Sequence, residues 1–423
     1  MAHSQPPDVS GSPGGSLDPA ARRLLDAIAG TVGDLVRIPS QNPGDPPDQI
    51  LAYLASFFET RRVAWRFVGD ASAPVGIVCT IGAGAPGPEI CLDACVDTAP
   101  VGDQGSWSVP PFEGRSDGRR LIGRGAADSK AAVAIFAHLA DDLGRTGGVA
   151  RGSVHFLFDA DEHSGRFSGA RRFFSDAGRA VSLVAIGYPG NDEVVIGGRG
   201  FFRGRLSAFG RELHSGSSGQ RPGDNAIRTM ARLVEELAAV DTGVFADAHF
   251  SSGPSLNVTE IAAGSGYSQL PGRCDAKLDV RLTPSAGVDW ARSLVSDAIE
   301  RVRQAIPGVQ IVFEEEATEP AYRLDPDSSP VRALQAAAEH EFGRSPVAAV
   351  KGPSNIGNYL ATLGIPSLSG FGVTYGGTLH GPDESIDIAS ILPVYRTYRR
   401  AVQQWLQLDA GTLKAALVIA GSG

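Results

Sequence analysis

The chain has 423 residues, 42% of them hydrophobic and 20% charged, with a formal charge of −9. That length holds about two to three domains with sizeable cores, and the acidic balance argues against a general nucleic-acid or membrane-surface binder. Only four cysteines occur, Cys79, Cys91, Cys95 and Cys274, with no CxxC pair among them; this usage suits a reduced, cytoplasmic setting.

In chain order, MAHSQPPDVSGSPGGSLDP has no basic start and no apolar h-region. It reads as a disordered arm over residues 1–18 and not as a secretory signal. No apolar run reaches the roughly 20 residues a membrane helix needs. Asp18-Pro19 then offers a cap with proline at N1, and Leu24, Leu25, Ile28, Val32, Leu35 and Val36 recur at helical spacing. Ile50 to Thr60 reads as a second helix. Short apolar strands are expected at 76–81, 89–94 and 153–158, with a helix carrying Ala131, Ala132, Ile135, Phe136 and Leu139 between the last two. Strand, helix and strand in alternation predict an α/β layer with a largely parallel sheet.

The middle of the chain changes rhythm. Strand 200–209, helix 225–240, strands 255–261 and 274–282, helix 288–305 and a last strand make a ferredoxin-like unit. The expected division is therefore an α/β body over 19–197 and 313–410, an inserted unit over 198–312, and a tail over 411–423.

Four loops gather ionisable groups after apolar strands, where α/β sheets place their sites. They are Asp93-Ala94-Cys95-Val96-Asp97, Gly123-Arg124-Gly125-Ala126-Ala127-Asp128-Ser129-Lys130, Asp159-Ala160-Asp161-Glu162-His163-Ser164-Gly165, and Thr378-Leu379-His380-Gly381-Pro382-Asp383-Glu384. One surface carboxylate is usually just solvated. Carboxylates and histidines repeated at strand ends need partners or a metal.

These segments resemble the metallohydrolase family of acetylornithine deacetylase, succinyl-diaminopimelate desuccinylase, aminoacylase and glutamate carboxypeptidase. GRGAADSK is similar to the family's GRGxxDxK, DEHSG to its DEExG, FGRELHSG to its lid motif, and GGTLHGPDE to its last histidine motif. The resemblance implies a zinc-peptidase-like α/β catalytic domain with an inserted ferredoxin-like α+β lid, and a homodimer formed through that lid. It matches Asp128 to the bridging metal ligand, Glu162 to the general base, and His163 and His380 to ligands of the second metal. It matches Asp97 to the aspartate orienting the first histidine, and His214 to the lid histidine that meets substrate. Arg281, together with Ser354 and Asn355, falls at substrate-binding positions.

The pattern is broken at the first metal. Cys95 stands where the family has a histidine, and Tyr188, in Gly187-Tyr188-Pro189-Gly190, where it has a carboxylate. Ser268 replaces a substrate-binding asparagine before Leu270-Pro271. Cys95 reads as a small buried residue, a metal ligand or a reactive thiol. Tyr188 is expected to fill the vacated space and hydrogen-bond to Asp128. Asp128, His163 and His380 suit one divalent ion, Zn2+ first, with Fe2+, Co2+ or Mn2+ also compatible; two ions or none stay open. One ion with Asp128 alone leaves the net charge that two ions with three carboxylates would leave. Lys130 is expected to support the Asp128 loop, while His138, His155, His249 and His340 match no motif and read as structural or exposed.

Three functions are compatible with these residues. The first is hydrolysis of an amide bond in a small N-acyl amino acid or dipeptide-like substrate. In it a metal polarises the carbonyl, Glu162 moves the proton, His214 meets the oxyanion and Arg281 holds a carboxylate. The others are a repurposed non-hydrolytic enzyme using Cys95 or Tyr188, and a binding protein without catalysis.

Overall fold

The computed structural model describes residues 17–177, 180–245, 249–251, 253–352 and 354–419. The expected arm lies outside the described residues up to residue 16. Asp18 caps the first helix, Pro19–Arg37, accepting from the amides of Ala20 and Ala21 at 2.9 Å each. Pro19 takes the first helical position, where its missing N–H is not needed. Leu25, Ile28, Val32, Leu35 and Val36 are buried, and this helix packs on the helix Ala131–Arg145.

The large sheet has six strands in the spatial order Trp65–Asp70, Ala73–Ile81, Ser153–Asp159, Glu89–Cys95, Val181–Ile186 and Ser367–Leu368. The first two pairings are antiparallel and the other three parallel. Every residue of Ser153–Asp159 is buried, because helices cover both faces of the sheet. Phe156 and Phe158 pack with the Pro19–Arg37 and Ala131–Arg145 helices, and Leu157 packs with Phe173 and Phe174 on the other side. A mixed sheet of Val347–Lys351, Glu193–Gly198, Tyr322–Leu324 and Leu417–Ile419 lies beside it.

The inserted unit is a four-stranded antiparallel sheet ordered Ser255–Ala263, Arg273–Leu282, Gly200–Phe209, Gln310–Glu319. This is the strand order of a ferredoxin-like unit. Helices Ala226–Ala238 and Val288–Ala305 cover one face and share a separate core with Phe202, Leu206 and Val280. Alternating burial along Arg273–Leu282 leaves Arg281 on the helix-free face.

Two expected boundaries need correction. The last lid strand does not stop at 312 but runs to Glu319. A register shift between Glu315 and Ala317, amid the consecutive Glu314, Glu315 and Glu316, hides its alternation. The segment from 411 is not a loose tail. Asp409 caps a helix, Ala410–Lys414, and Leu417–Ile419 pairs with Tyr322–Leu324. Burial of Leu413 and Ala416 anchors it. Among the described residues no helix is long and apolar enough to cross a membrane.

A buried polar contact joins the helices Pro19–Arg37 and Ala131–Arg145. His138 Nε2 lies 2.9 Å from Thr31 Oγ1, and its ring meets Phe57 edge-on at 5.0 Å. Burial, then the charge of Arg61, lowers His138 from 6.5 to about 4. The folded chain therefore keeps His138 neutral where the unfolded chain protonates it. Stability from this residue is intact above about pH 6.5 and is lost as pH falls toward about 4. Unfolding free energies at about pH 7.5 and about pH 5 should show wild type losing roughly 2 kcal/mol more than His138→Gln over that interval. Equal losses in the two proteins would refute the assignment.

Candidate active site

The parallel pairing of Glu89–Cys95 with Ser153–Asp159 brings two of the four loops side by side. Asp97 is the link between them. Its carboxylate accepts from the amides of Glu162 at 3.1 Å and His163 at 2.9 Å. Asn42 Nδ2 donates to Asp97 at 3.1 Å and to Asp161 at 2.9 Å. Asp97 therefore shapes the loop that carries Glu162 and His163, and its Oδ2 lies 3.5 Å from His163 Nδ1. The family role of orienting residue 95 is not the one its bonds describe.

The other two loops are tied by a buried ion pair. Arg124 Nη1 donates to Glu384 Oε2 at 2.7 Å, and both side chains are 1% exposed. Glu384 Oε1 accepts from the amides of Ala127 at 2.9 Å and Asp128 at 3.0 Å. Arg124 Nη2 donates to the His380 carbonyl at 2.9 Å. One guanidinium and one carboxylate thus fix the backbone of both Asp128 and His380. Sequence reasoning missed this pair, although both residues stand inside the motifs that drew attention. Lys130 Nζ, buried, donates to the Ile38 carbonyl at 2.8 Å, and burial lowers it to about 7.

Asp128, His163 and His380 converge, with one ligand atom of each within 4.8 Å of the others. Asp128 Oδ2 lies 3.0 Å from His380 Nε2 and 3.8 Å from His163 Nε2. Burial opposes ionisation of Asp128, but the hydrogen bonds of His163 and His380 outweigh it and hold its carboxyl well below the usual range. Burial likewise opposes protonation of His163, yet Asp128 and Asp97 push it up to about 10. The cage thus favours positive charge between these side chains. Two imidazoles and a carboxylate fit a divalent ion.

Tyr188 does not bond to Asp128 as expected from the sequence. Its hydroxyl donates to Glu162 Oε1, and the sequence could not tell these neighbouring carboxylates apart. Cys95, buried, lies within 4.8 Å of ligand atoms of Glu162 and His163. Burial, then the charge of Glu162, keeps the Cys95 thiol well above its ordinary value. Burial among these carboxylates disfavours the thiolate form. Glu162 itself is raised to about 7, first by burial and then by the charge of Asp128.

The lid residues stand apart from this cluster. His214 is exposed; its strand, Leu213–His214, pairs with Gln269–Leu270, and its Nδ1 accepts from the Gly216 amide at 3.1 Å. Ser268 contributes its carbonyl to Ser215 at 2.9 Å. Arg281 Nε donates to Asp279 at 2.9 Å, and its Nη1 reaches Ser354 Oγ at 3.4 Å. Asn355 caps the helix Ile356–Thr362, accepting from the Gly357 amide at 2.7 Å and the Tyr322 hydroxyl at 3.2 Å. Its side-chain oxygen is already engaged in structure.

Beneath the cluster lie two acids that sequence reasoning gave no role. Cys95 pairs with Asp159 across the parallel strands, so Asp93, Cys95 and Asp159 face the same side of the sheet. Asp93 Oδ1 and Asp159 Oδ2 are buried without a hydrogen-bond partner. Burial, then the charge of Glu162, raises Asp93 from 3.8 to about 8. Burial, then the charge of Asp93, raises Asp159 well above its usual value.

Because the folded chain holds the Asp93 proton that the unfolded chain releases, stability falls as pH rises from about 4 to about 8. Asp93→Asn should remove that loss. Its melting temperature should exceed that of wild type by an amount that grows between about pH 5 and about pH 8. A constant difference across that range would show that Asp93 keeps an ordinary carboxyl.

The sequence profile of peptidase family M20/M25/M40 matches residues 91–404. A succinyl-diaminopimelate desuccinylase of Rhodospirillum centenum is 26% identical over 386 residues, covering 88% of this chain and 95% of that protein. An M20 family metallo-carboxypeptidase of Sulfolobus solfataricus superposes with a TM-score of 0.70 at 18% identity, covering 90% of this chain and 99% of that one. A dinuclear metal-binding M20 peptidase of Bacillus subtilis superposes with a TM-score of 0.66 at 17% identity, covering 91% and 99%. With the motif loops assembled at the strand ends and a profile spanning most of its length, the chain belongs to peptidase family M20/M25/M40, a family of metal-dependent hydrolases.

Proposed function

We propose that this enzyme hydrolyses the amide bond of a small N-acyl amino acid or dipeptide-like substrate, with Glu162 as general base beside a divalent ion held by Asp128, His163 and His380. The observation that carries this reading is the convergence of those three ligand side chains within 4.8 Å, next to Glu162 in the chain. The ion, when bound, supplies Lewis acidity to the scissile carbonyl and acidifies water. Zn2+ suits two imidazoles and one carboxylate with an open position.

The protein groups then divide the work. Glu162, held by the Tyr188 hydroxyl, takes a proton from the attacking water and returns it to the leaving nitrogen. A base raised to about 7 is well matched to both transfers. Arg281, steadied by Asp279 and close to Ser354, holds a substrate carboxylate. His214, on the lid, donates to the developing oxyanion when the lid closes. The desuccinylase similarity supports the N-acyl amino acid class. Four buried cysteines, all free, support a reduced, cytoplasmic setting.

Glu162→Gln keeps the shape of the side chain but cannot accept a proton. Turnover of an N-acyl amino acid substrate should fall about 100- to 10,000-fold, with metal content and folding unchanged. His163→Ala should instead lose the metal. Near-full activity of Glu162→Gln would overturn the hydrolytic reading.

The lid sheet has two outer strands, Ser255–Ala263 and Gln310–Glu319, and we propose that two chains associate through this unit about a twofold axis. Light scattering at micromolar concentration should give twice the chain mass. A monomer, both in the full chain and after removal of residues 1–18, would contradict this.

A further inference from the structure

We propose that Tyr188 makes this centre mononuclear, closing the position between Cys95 and Glu162 to a second ion. The inference rests on the reading above, in which Asp128, His163 and His380 hold one ion. Two groups of side chains here could each surround a cation, Asp128 with His163 and His380, and Cys95 with Glu162 and His163. They share His163. Its Nε2 faces Asp128 Oδ2 at 3.8 Å and its Nδ1 faces Asp97 Oδ2 at 3.5 Å.

The second group is the one that Tyr188 blocks. Its hydroxyl donates into Glu162 Oε1, so one of the two Glu162 oxygens open to an ion there is already engaged by a proton donor. A phenol is a neutral donor and does not replace the thiolate, imidazole or carboxylate that holds zinc.

The Tyr188 ring cannot easily withdraw. It packs against the apolar cluster of Cys91, Leu157, Val184, Ile186 and Ile356. Its backbone is pinned on both sides. The Gly187 amide donates to the Asp93 carbonyl at 2.8 Å, and the Tyr188 amide donates to the Ile186 carbonyl at 3.1 Å. Gly372 approaches so closely that a Cβ there would meet the Tyr188 carbonyl at 2.2 Å. The phenol is therefore a built part of the wall, and it does two things at once. It engages one of the two Glu162 oxygens open to a second ion, and it holds the Glu162 side chain in place.

Metal content of the purified full-length chain, dialysed against buffer with trace Zn2+, should be one equivalent. Restoring ligand chemistry with Cys95→His/Tyr188→Glu should raise it to two. In the Co2+ form, wild type should lack thiolate-to-cobalt charge-transfer absorption. Zero equivalents in wild type would remove the underlying reading and this inference with it. Two equivalents in wild type, or a thiolate band, would overturn the inference alone. One equivalent in both wild type and a folded double variant would show that Tyr188 does not set the ion count. The wild-type stoichiometry and spectrum decide the matter even if the double variant fails to fold.

Discussion

The ion pair between Arg124 and Glu384 holds the site together. It spans the two loops that carry Asp128 and His380, far apart in the chain, and both of its side chains are 1% exposed. Neither charge would be stable at such depth without the other. Glu384 is shared between the guanidinium and two backbone amides, and Arg124 also reaches the His380 carbonyl. Breaking such a pair from one side typically costs about 3–5 kcal/mol, because a bare buried charge remains. Here the damage would extend further, since the same bonds set where both proposed ligands stand.

Around that clamp the site is dense in carboxylates. Asp93, Asp97, Asp159 and Glu162 are gathered at the ends of two parallel strands, with Asp128 brought beside them by the turn ahead of the Ala131–Arg145 helix, and they resolve into different roles by environment. Asp128 has two imidazoles beside it and stays ionised. Asp97 is spent on the two amides of the Glu162 loop. Asp93 and Asp159 have buried oxygens without partners and keep their protons. Glu162 sits between these extremes at about 7. A spread of proton affinities among close carboxyl groups is how one fold keeps a base and a ligand side by side.

Much of this was legible in the sequence, for identifiable reasons. Asp128, Glu162, His163 and His380 each follow an apolar strand or a glycine-rich turn, so their loops stood out, and the structure brings them together. The ferredoxin-like unit was readable because alternation along Arg273–Leu282 and helical spacing in Val288–Ala305 are regular. The end of its last strand was not, since a bulge amid three glutamates breaks the period. The short terminal strand Leu417–Ile419 carries too little pattern to announce itself and depends on a distant partner. Arg124 and Glu384 looked like ordinary motif charges, because pairing over such a separation is a tertiary fact. Tyr188 was seen as a departure, but only three-dimensional placement shows that it bonds to Glu162 and not to Asp128. In the sequence, Asp93 and Asp159 group with the loop charges without a role; both lie inside strands of a sheet covered on both faces, and that burial makes them unusual.

The proposed centre holds one ion between Asp128, His163 and His380, with the Tyr188 phenol on the base beside it. The most direct measurement is an anomalous-difference map at the zinc edge from crystals of the full chain grown with Zn2+. A single peak bounded by those three side chains, with the Tyr188 hydroxyl still on Glu162, is expected. A peak between Cys95 and Glu162, or no peak at the three-residue site under saturating Zn2+, would contradict it.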